Sequence, residues 1–343
     1  MGSVGGMHLE QGKIMGKDLK MNGRSLLTLR DVSDEEMLGL LDLADVLKEK
    51  RSQGRPGDLL RGKQIGMIFE KSSTRTRCAV SVAVADEGGH AEYLSSGEIH
   101  LGKKESVADT ARVLGRMFHG LVYRGFGQAI VETLARCSGV PVWNGLTDDA
   151  HPTQALADLM TVRESFGSLQ GLKVVYIGDG RNNVANSLML GCAKAGVEFA
   201  NCAPPELAPC RELVKEAEAL AAGNGSTVRV YEDVFDAVKG ANAVYTDVWV
   251  SMGEESKQGE RIALLQPYQV NMDVMRQTGN LDDGKVIFLH CLPAFHDTNT
   301  KVTEKTGAQE VTDDVFEAGF SKVFDQAENR MHTIKALLVA ALG

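Results

Sequence analysis

Residues 173–202 read KVVYIGDGRNNVANSLMLGCAKAGVEFANC, and they decide the fold class. The apolar run KVVYIGD reads as a strand, NNVANSLMLGCAKAG as a helix and VEFANCA as the next strand. A strand, a crossover helix and a strand make a parallel pair. The turn between them, Gly178-Asp179-Gly180-Arg181-Asn182-Asn183, invites comparison with a dinucleotide-binding loop. It fails that comparison twice. Asn183 stands where the third glycine belongs, and the second strand ends in Asn and Cys rather than the acid that holds a ribose. Asn183 reads instead as an amide placed to hydrogen-bond a small polar ligand.

The same rhythm runs outward in both directions. Downstream strands are TVRVYED, AVYTDVW and KVIFLHCL, with the helix PCRELVKEAEALAAG among them. Upstream, SDEEMLGLLDLADVLKEKR opens on an N-cap Ser33 with acids in its first turn and Met37, Leu40, Leu41, Ala44 and Leu47 at helical spacing. Then come the strands KQIGMIF, HAEYL, GLVYRG and VPVWNG. A helix from about Thr76 to Glu87, an amphipathic KESVADTARVLGRMF and AIVETLARCS intervene. PTQALADLMTVRESFG is a long helix with its Pro near the first turn. The expectation is α/β: two doubly wound parallel-sheet domains joined by long helices. The last helix, FDQAENRMHTIKALLVAALG, carries too much apolar surface to stand alone and is expected to pack back on the first domain.

At 343 residues the chain exceeds one ordinary core, which also argues for two domains. A net charge of -9 argues against general binding of nucleic acid or an anionic membrane, so basic clusters must be specific pockets. No apolar run is long enough to span a membrane. The first 20 or so residues carry no h-region and no Arg before Arg24, and read as a loose extension rather than a secretory or transit peptide. Six cysteines without a C-x-x-C pair read as reduced thiols of a cytosolic protein, with Cys78, Cys137, Cys192 and Cys291 among apolar neighbours.

Open parallel sheets bind ligands outside the carboxyl ends of their strands. Those ends carry EKSSTRTR, YRGFGQ and NGLTDDAHPTQ in the first half, and GDGRNN, TDVWVSMG and HCLPAFHD in the second. The SSTRTR turn leads a helix, where unpaired amides, hydroxyls and guanidinium suit phosphate oxygens. Alone it reads better as a plain Ser/Thr cap with two solvated arginines. It is no Walker loop, because G-x-x-x-x-G-K-[ST] is absent, so a phosphate bound here does not imply a nucleotide. His151, extended before Pro152, and Gln154 one turn on can address one ligand. Asp247 and Cys291 end two apolar strands. Arg330, in ENRMHT, sits near the start of the last helix, where a cation opposes the helix dipole and so suggests an anionic partner.

FEKSSTRTR, DTARVLGRM, HPTQ, TDVWVSMG, HCLPAFHD and ENRMHT, in that order from about Met21 to Gly343, resemble the aspartate/ornithine carbamoyltransferase superfamily. S-T-R-T and H-P-x-Q belong to the whole superfamily, while D-x-W-x-S-M-G with H-C-L-P is specific to its ornithine side. The resemblance implies transfer of the carbamoyl group of carbamoyl phosphate to the δ-amine of L-ornithine, giving L-citrulline and phosphate. The rivals are a carbamoyltransferase for putrescine or an acylated ornithine, and a catalytically silent homologue. Implied for carbamoyl phosphate are Ser73, Thr74, Arg75, Thr76, Arg124, His151, Gln154, Cys291, Leu292 and Arg330. His100 would reach it from a neighbouring subunit of a homotrimer or a multiple of trimers. Asn183, Asp247, Ser251 and Met252 would hold ornithine. Arg75, Arg124, His151, Asp247 and Cys291 would carry the chemistry, with no metal and no cofactor. The implied domains are 21–155, completed by 325–343, for carbamoyl phosphate, and 156–324 for ornithine. The implied location is cytoplasmic, with neither nucleic acid nor membrane as partner.

Overall fold

The computed structural model describes residues 13–14, 17–19, 21–55, 57–95, 97, 99–250 and 258–343. They form two compact units: residues 1–147 with 330–343, and residues 148–329. The boundary drawn from the sequence at 155/156 falls inside a helix of the second unit.

In the first unit, β1 (Lys13–Ile14) and β2 (Lys17–Asp18) form a small antiparallel pair. The helix α1 (Asp34–Ser52) begins on a reciprocal cap: Glu36 N–H donates to the Ser33 hydroxyl, and the Glu36 carboxylate accepts from Ser33 N–H. There follow β3 (Gln64–Phe69), α2 (Thr74–Asp86), β4 (His90–Ser95), α3 (Val107–Leu114), β5 (Gly120–Arg124), α4 (Gln128–Ser138) and β6 (Val142–Leu146). The sheet is parallel throughout, in the order β4-β3-β5-β6. The interior strand β5 is an apolar run with every residue buried, whereas the edge strand β4 has only exposed and half-buried residues.

The second unit contains α5 (Pro152–Phe166), β7 (Lys173–Ile177), α6 (Asn183–Ala195), β8 (Glu198–Cys202), α7 (Arg211–Gly223) and β9 (Val228–Tyr231). It continues through α8 (Val234–Val238), β10 (Ala243–Thr246), α9 (Gln258–Leu265), α10 (Met272–Gln277), β11 (Ile287–His290) and α11 (Asp313–Phe316). Its five strands, ordered β11-β10-β7-β8-β9, are again all parallel. The last helix, α12 (Val323–Leu342), begins in this unit and ends in the first. There Ile334, Leu337 and Leu338 are buried, each contributing about 1.5–3 kcal/mol. Lys335 Nζ meets Asp86 at 2.6 Å, and Gly23 N–H donates to the Ala341 carbonyl.

In each sheet the chain first winds to one side and then to the other. The reversal lies between β3 and β5 in the first unit, and between β7 and β10 in the second. These are the switch points at which such sheets take ligands. The glycines after β7 have packing reasons of their own. Gly178 sits at φ +139°, and a Cβ on Gly180 would lie 2.5 Å from Asn201 Oδ1.

Some local expectations shift. The helix α2 starts at Thr74, two residues early, because Ser73 rather than a later residue is the cap. Cys78 is exposed on α2, whereas Cys202, in β8, is buried and its thiol is pushed up to about 12, chiefly by burial. Among the described residues, no helix is long and apolar enough to cross a membrane.

Candidate active site

At the first unit's switch point, the residues after β3 turn into α2. Ser73 is its N-cap, in extended backbone, and its hydroxyl accepts from Thr76 N–H at 3.2 Å. Thr74 and Arg75 occupy the first turn, which holds no acid, so no carboxylate of that turn opposes the positive end of the helix dipole. Arg124 ends the neighbouring β5, pairs in register with Phe69 and is 7% exposed. Its Nη1 lies 3.4 Å from Thr76 Oγ1. Arg330, 2% exposed, donates from Nη2 to the same oxygen at 2.9 Å. A fully buried hydroxyl thus gathers two guanidiniums that stand 206 residues apart in sequence (330 − 124). Arg77 is turned elsewhere, with its guanidinium 4.0 Å from the centroid of the Tyr93 ring. His100 is exposed in the loop before α3, and its carbonyl accepts from Lys103 N–H at 2.9 Å.

The second unit's switch point has a different character. Asp247 follows β10 and is 7% exposed. Its Oδ1 accepts from Val248 N–H at 2.8 Å and from the Cys291 thiol at 3.0 Å. Its Oδ2 accepts from Asn182 Nδ2 at 3.0 Å. Burial raises the carboxyl above its ordinary range, while the neighbouring His290 and the hydrogen bonds from Cys291 and Val248 act in opposition. Asn182, the N-cap of α6, is therefore the amide held by Asp247; the expected Asn183 is the next residue, in the first helical turn. No pattern in GDGRNN separates the two asparagines, because the choice depends on where the cap falls.

Cys291 and Leu292 follow β11, and the loop that carries them is fixed by a buried pair. His290 Nε2 lies 3.1 Å from Glu310 Oε1, both residues being fully buried. Leu292 N–H donates to His290 Nδ1 at 2.9 Å, and Phe295 N–H donates to Glu310 Oε1 at 2.6 Å. With Nδ1 accepting, His290 donates from Nε2, so one tautomer serves both contacts. Leu292 sits at φ +58°, a conformation unfavourable for a branched side chain. The loop is held there by bonds rather than by preference. Sequence reading missed Glu310, since GAQEVTD carries no sign that its acid is buried.

Asp247, His290 and Cys291 place one potential metal-ligating atom each within 4.8 Å of one another. Both ring nitrogens of His290 already hold partners, so a metal there would have to break the loop's anchors.

His151 and Gln154 begin α5. His151 is its N-cap, 3% exposed, and its N–H donates to Ser187 Oγ at 2.8 Å. Gln154 is buried one turn on. Ser251 and Met252 lie outside the described residues.

Residues 24–164 match the carbamoyl-P binding domain of aspartate/ornithine carbamoyltransferase, and residues 170–341 its Asp/Orn binding domain. The chain belongs to the aspartate/ornithine carbamoyltransferase family. It is 57% identical over 335 residues to a catabolic ornithine carbamoyltransferase of Bacillus licheniformis, covering 96% of this chain and 99% of that one. An ornithine carbamoyltransferase of Streptococcus pyogenes is 56% identical over 327 residues, 94% of this chain and 96% of the relative. Among solved structures, ornithine carbamoyltransferase from Pyrococcus furiosus superposes with a TM-score of 0.87 at 43% identity, covering 94% and 98% of the two chains. An anabolic ornithine carbamoyltransferase from Campylobacter jejuni gives 0.82 at 36% identity, covering 92% and 97%.

Proposed function

We propose that this protein transfers the carbamoyl group of carbamoyl phosphate to the δ-amine of L-ornithine, giving L-citrulline and phosphate. The observation that carries the reading is the convergence of Arg124 and Arg330 on Thr76 at the N-terminus of α2, within a chain that matches both family domains. A phosphate, with several oxygens, suits a place where two guanidiniums converge. Ser73, Thr74, Arg75, Thr76, Arg124 and Arg330 hold the phosphate. His151 and Gln154 address the carbamoyl oxygen and amide.

On the amine side, an alkylammonium with a pKa near 10.4 is neutral in only about one molecule per thousand at pH 7. Freeing it costs about 4–5 kcal/mol, at roughly 1.4 per pH unit. Asp247, if set against the δ-amine, would hold it charged and inert. It pairs instead with the α-ammonium of ornithine, together with Asn182, Asn183, Ser251 and Met252, and the δ-amine lies beside Cys291 and Leu292. The neutral nitrogen forms a bond to the carbamoyl carbon while the carbon–oxygen bond to phosphate breaks. Phosphate leaves with that electron pair, and the surplus proton on nitrogen passes to it or to solvent. Arg75, Arg124 and His151 stabilise the charge that develops on oxygen.

The residues 21–155 with 325–343, and 156–324, are the proposed carbamoyl-phosphate and ornithine domains. The protein works in the cytoplasm as a homotrimer or a multiple of trimers, in which His100 contacts a neighbouring subunit's phosphate. The test is citrulline formation by the purified protein. L-Ornithine is expected to react, and putrescine to react poorly because it has no α-ammonium for Asp247. Equal turnover of both amines would refute the Asp247 assignment, and no product from either would refute the activity.

A further inference from the structure

Gln154 and Asp158 lie one turn apart on α5, where a glutamine amide and a carboxylate face each other. Gln154 Nε2 donates to Asp158 Oδ1 at 2.8 Å. The same carboxylate oxygen accepts from Gln326 Nε2 at 2.6 Å, and that amide nitrogen also donates to Tyr245 Oη at 3.1 Å. At the far end, His290 N–H donates to Gln326 Oε1 at 2.9 Å. All five residues are at most 1% exposed. The polarity of this line is not free. A backbone N–H can only donate, so Gln326 must offer it oxygen and turn its nitrogen toward the carboxylate. The carboxylate in turn takes the nitrogen of Gln154. What is left over is Gln154 Oε1, buried and accepting no hydrogen bond among the described residues. A buried acceptor without a donor is unfavourable unless a ligand supplies one.

We infer that Asp158 is a positioning residue: by holding Gln154 Nε2 it presents Gln154 Oε1 as the acceptor for the carbamoyl NH₂, and Gln326 anchors Asp158 to the strand end that carries Cys291. The inference rests on the proposed function above. Without Asp158 the amide is free to turn and offer its own N–H₂ toward the ligand's amide, donor against donor.

The experiment measures binding of two stable phosphonates to the full-length protein. Phosphonoacetamide carries the amide; methylphosphonate carries the phosphonate without it. Asp158→Leu, similar in shape but unable to accept, is expected to weaken phosphonoacetamide about tenfold, on the scale of one buried hydrogen bond, and methylphosphonate less than twofold. In a Gln154→Met background, which already lacks the acceptor, Asp158→Leu is expected to cause no further loss of phosphonoacetamide. Should Asp158→Leu not fold, Gln326→Met tests the same criterion, with an expected selective loss of about threefold. Equal loss of both phosphonates, loss of neither, or full additivity with Gln154→Met would overturn the inference. A wild-type protein that makes no citrulline would instead sink the function on which it rests.

Discussion

The two sheets share a topology and differ in charge at the same place. At the reversal between β3 and β5 the first unit gathers Arg75, Arg124 and Arg330 around a helix N-terminus and one threonine oxygen. At the reversal between β7 and β10 the second unit builds on a buried carboxylate, with an amide and a thiol donating to it. Parallel winding sets where a ligand goes, and the residues at the strand ends set which sign of charge it carries. The cationic end suits an acyl phosphate, and the carboxylate end an ammonium.

The largest expected break in that contrast is Arg75→Ala. It should lower kcat/KM by about 10²–10³, the scale of one lost donor to developing charge. It should also weaken carbamoyl phosphate more than an ornithine analogue in equilibrium binding. Equal weakening of both ligands would mean that the cationic end does not belong to the phosphate. Asp247→Asn is the counterpart at the other pole. Its main effect should be a rise in ornithine KM of about tenfold or more, corresponding to a charged hydrogen bond of about 1.5–3 kcal/mol. Steady-state kinetics in which kcat alone fell would count against pairing with the α-ammonium.

Thr76→Val tests the first site more finely, since it keeps the volume and deletes the oxygen that joins Arg124 to Arg330. Calorimetric titration with methylphosphonate should show a loss of about 1–3 kcal/mol, while ornithine-side affinity stays unchanged. The smallest effect concerns stability alone. Burial on its own would raise the Asp86 carboxyl, but Lys335 and Arg51 outweigh it and leave it below the ordinary 3.8. A carboxyl depressed in the folded state contributes stability that is full above about pH 4 and fades as pH falls through its folded value. Asp86→Asn should therefore lower stability at neutral pH by at most about 1 kcal/mol, because the group is partly solvated. The difference from wild type should shrink as acid unfolding is followed downward below pH 4.

Most of the architecture was legible because buried parallel strands are short apolar runs, and the helices between them carry their own caps, as at Ser33 and Asn182. The strand-end rule then picked out Arg75, Arg124, Asp247 and Cys291 without any coordinates. What stayed hidden has one physical character: it depends on pairings distant in sequence. Arg330 meeting Thr76, Gln326 meeting Asp158, and Glu310 bracing His290 leave no periodic trace. The bond from Asn182 to Asp247 was hidden for the same reason, since its partner lies 65 residues on.

The path of α12 bears on how the protein is made. Its first residues finish the second unit, and residues 330–343 return to the first. On a ribosome, the first unit must wait, with its strands already synthesised, until residues 330–343 are translated. A chain stopped just before Arg330 would carry a whole second unit and an unfinished first one, lacking both the Lys335–Asp86 pair and a guanidinium of the anion grip. Loss of residues 330–343 is thus predicted to strike the unit whose strands were made first.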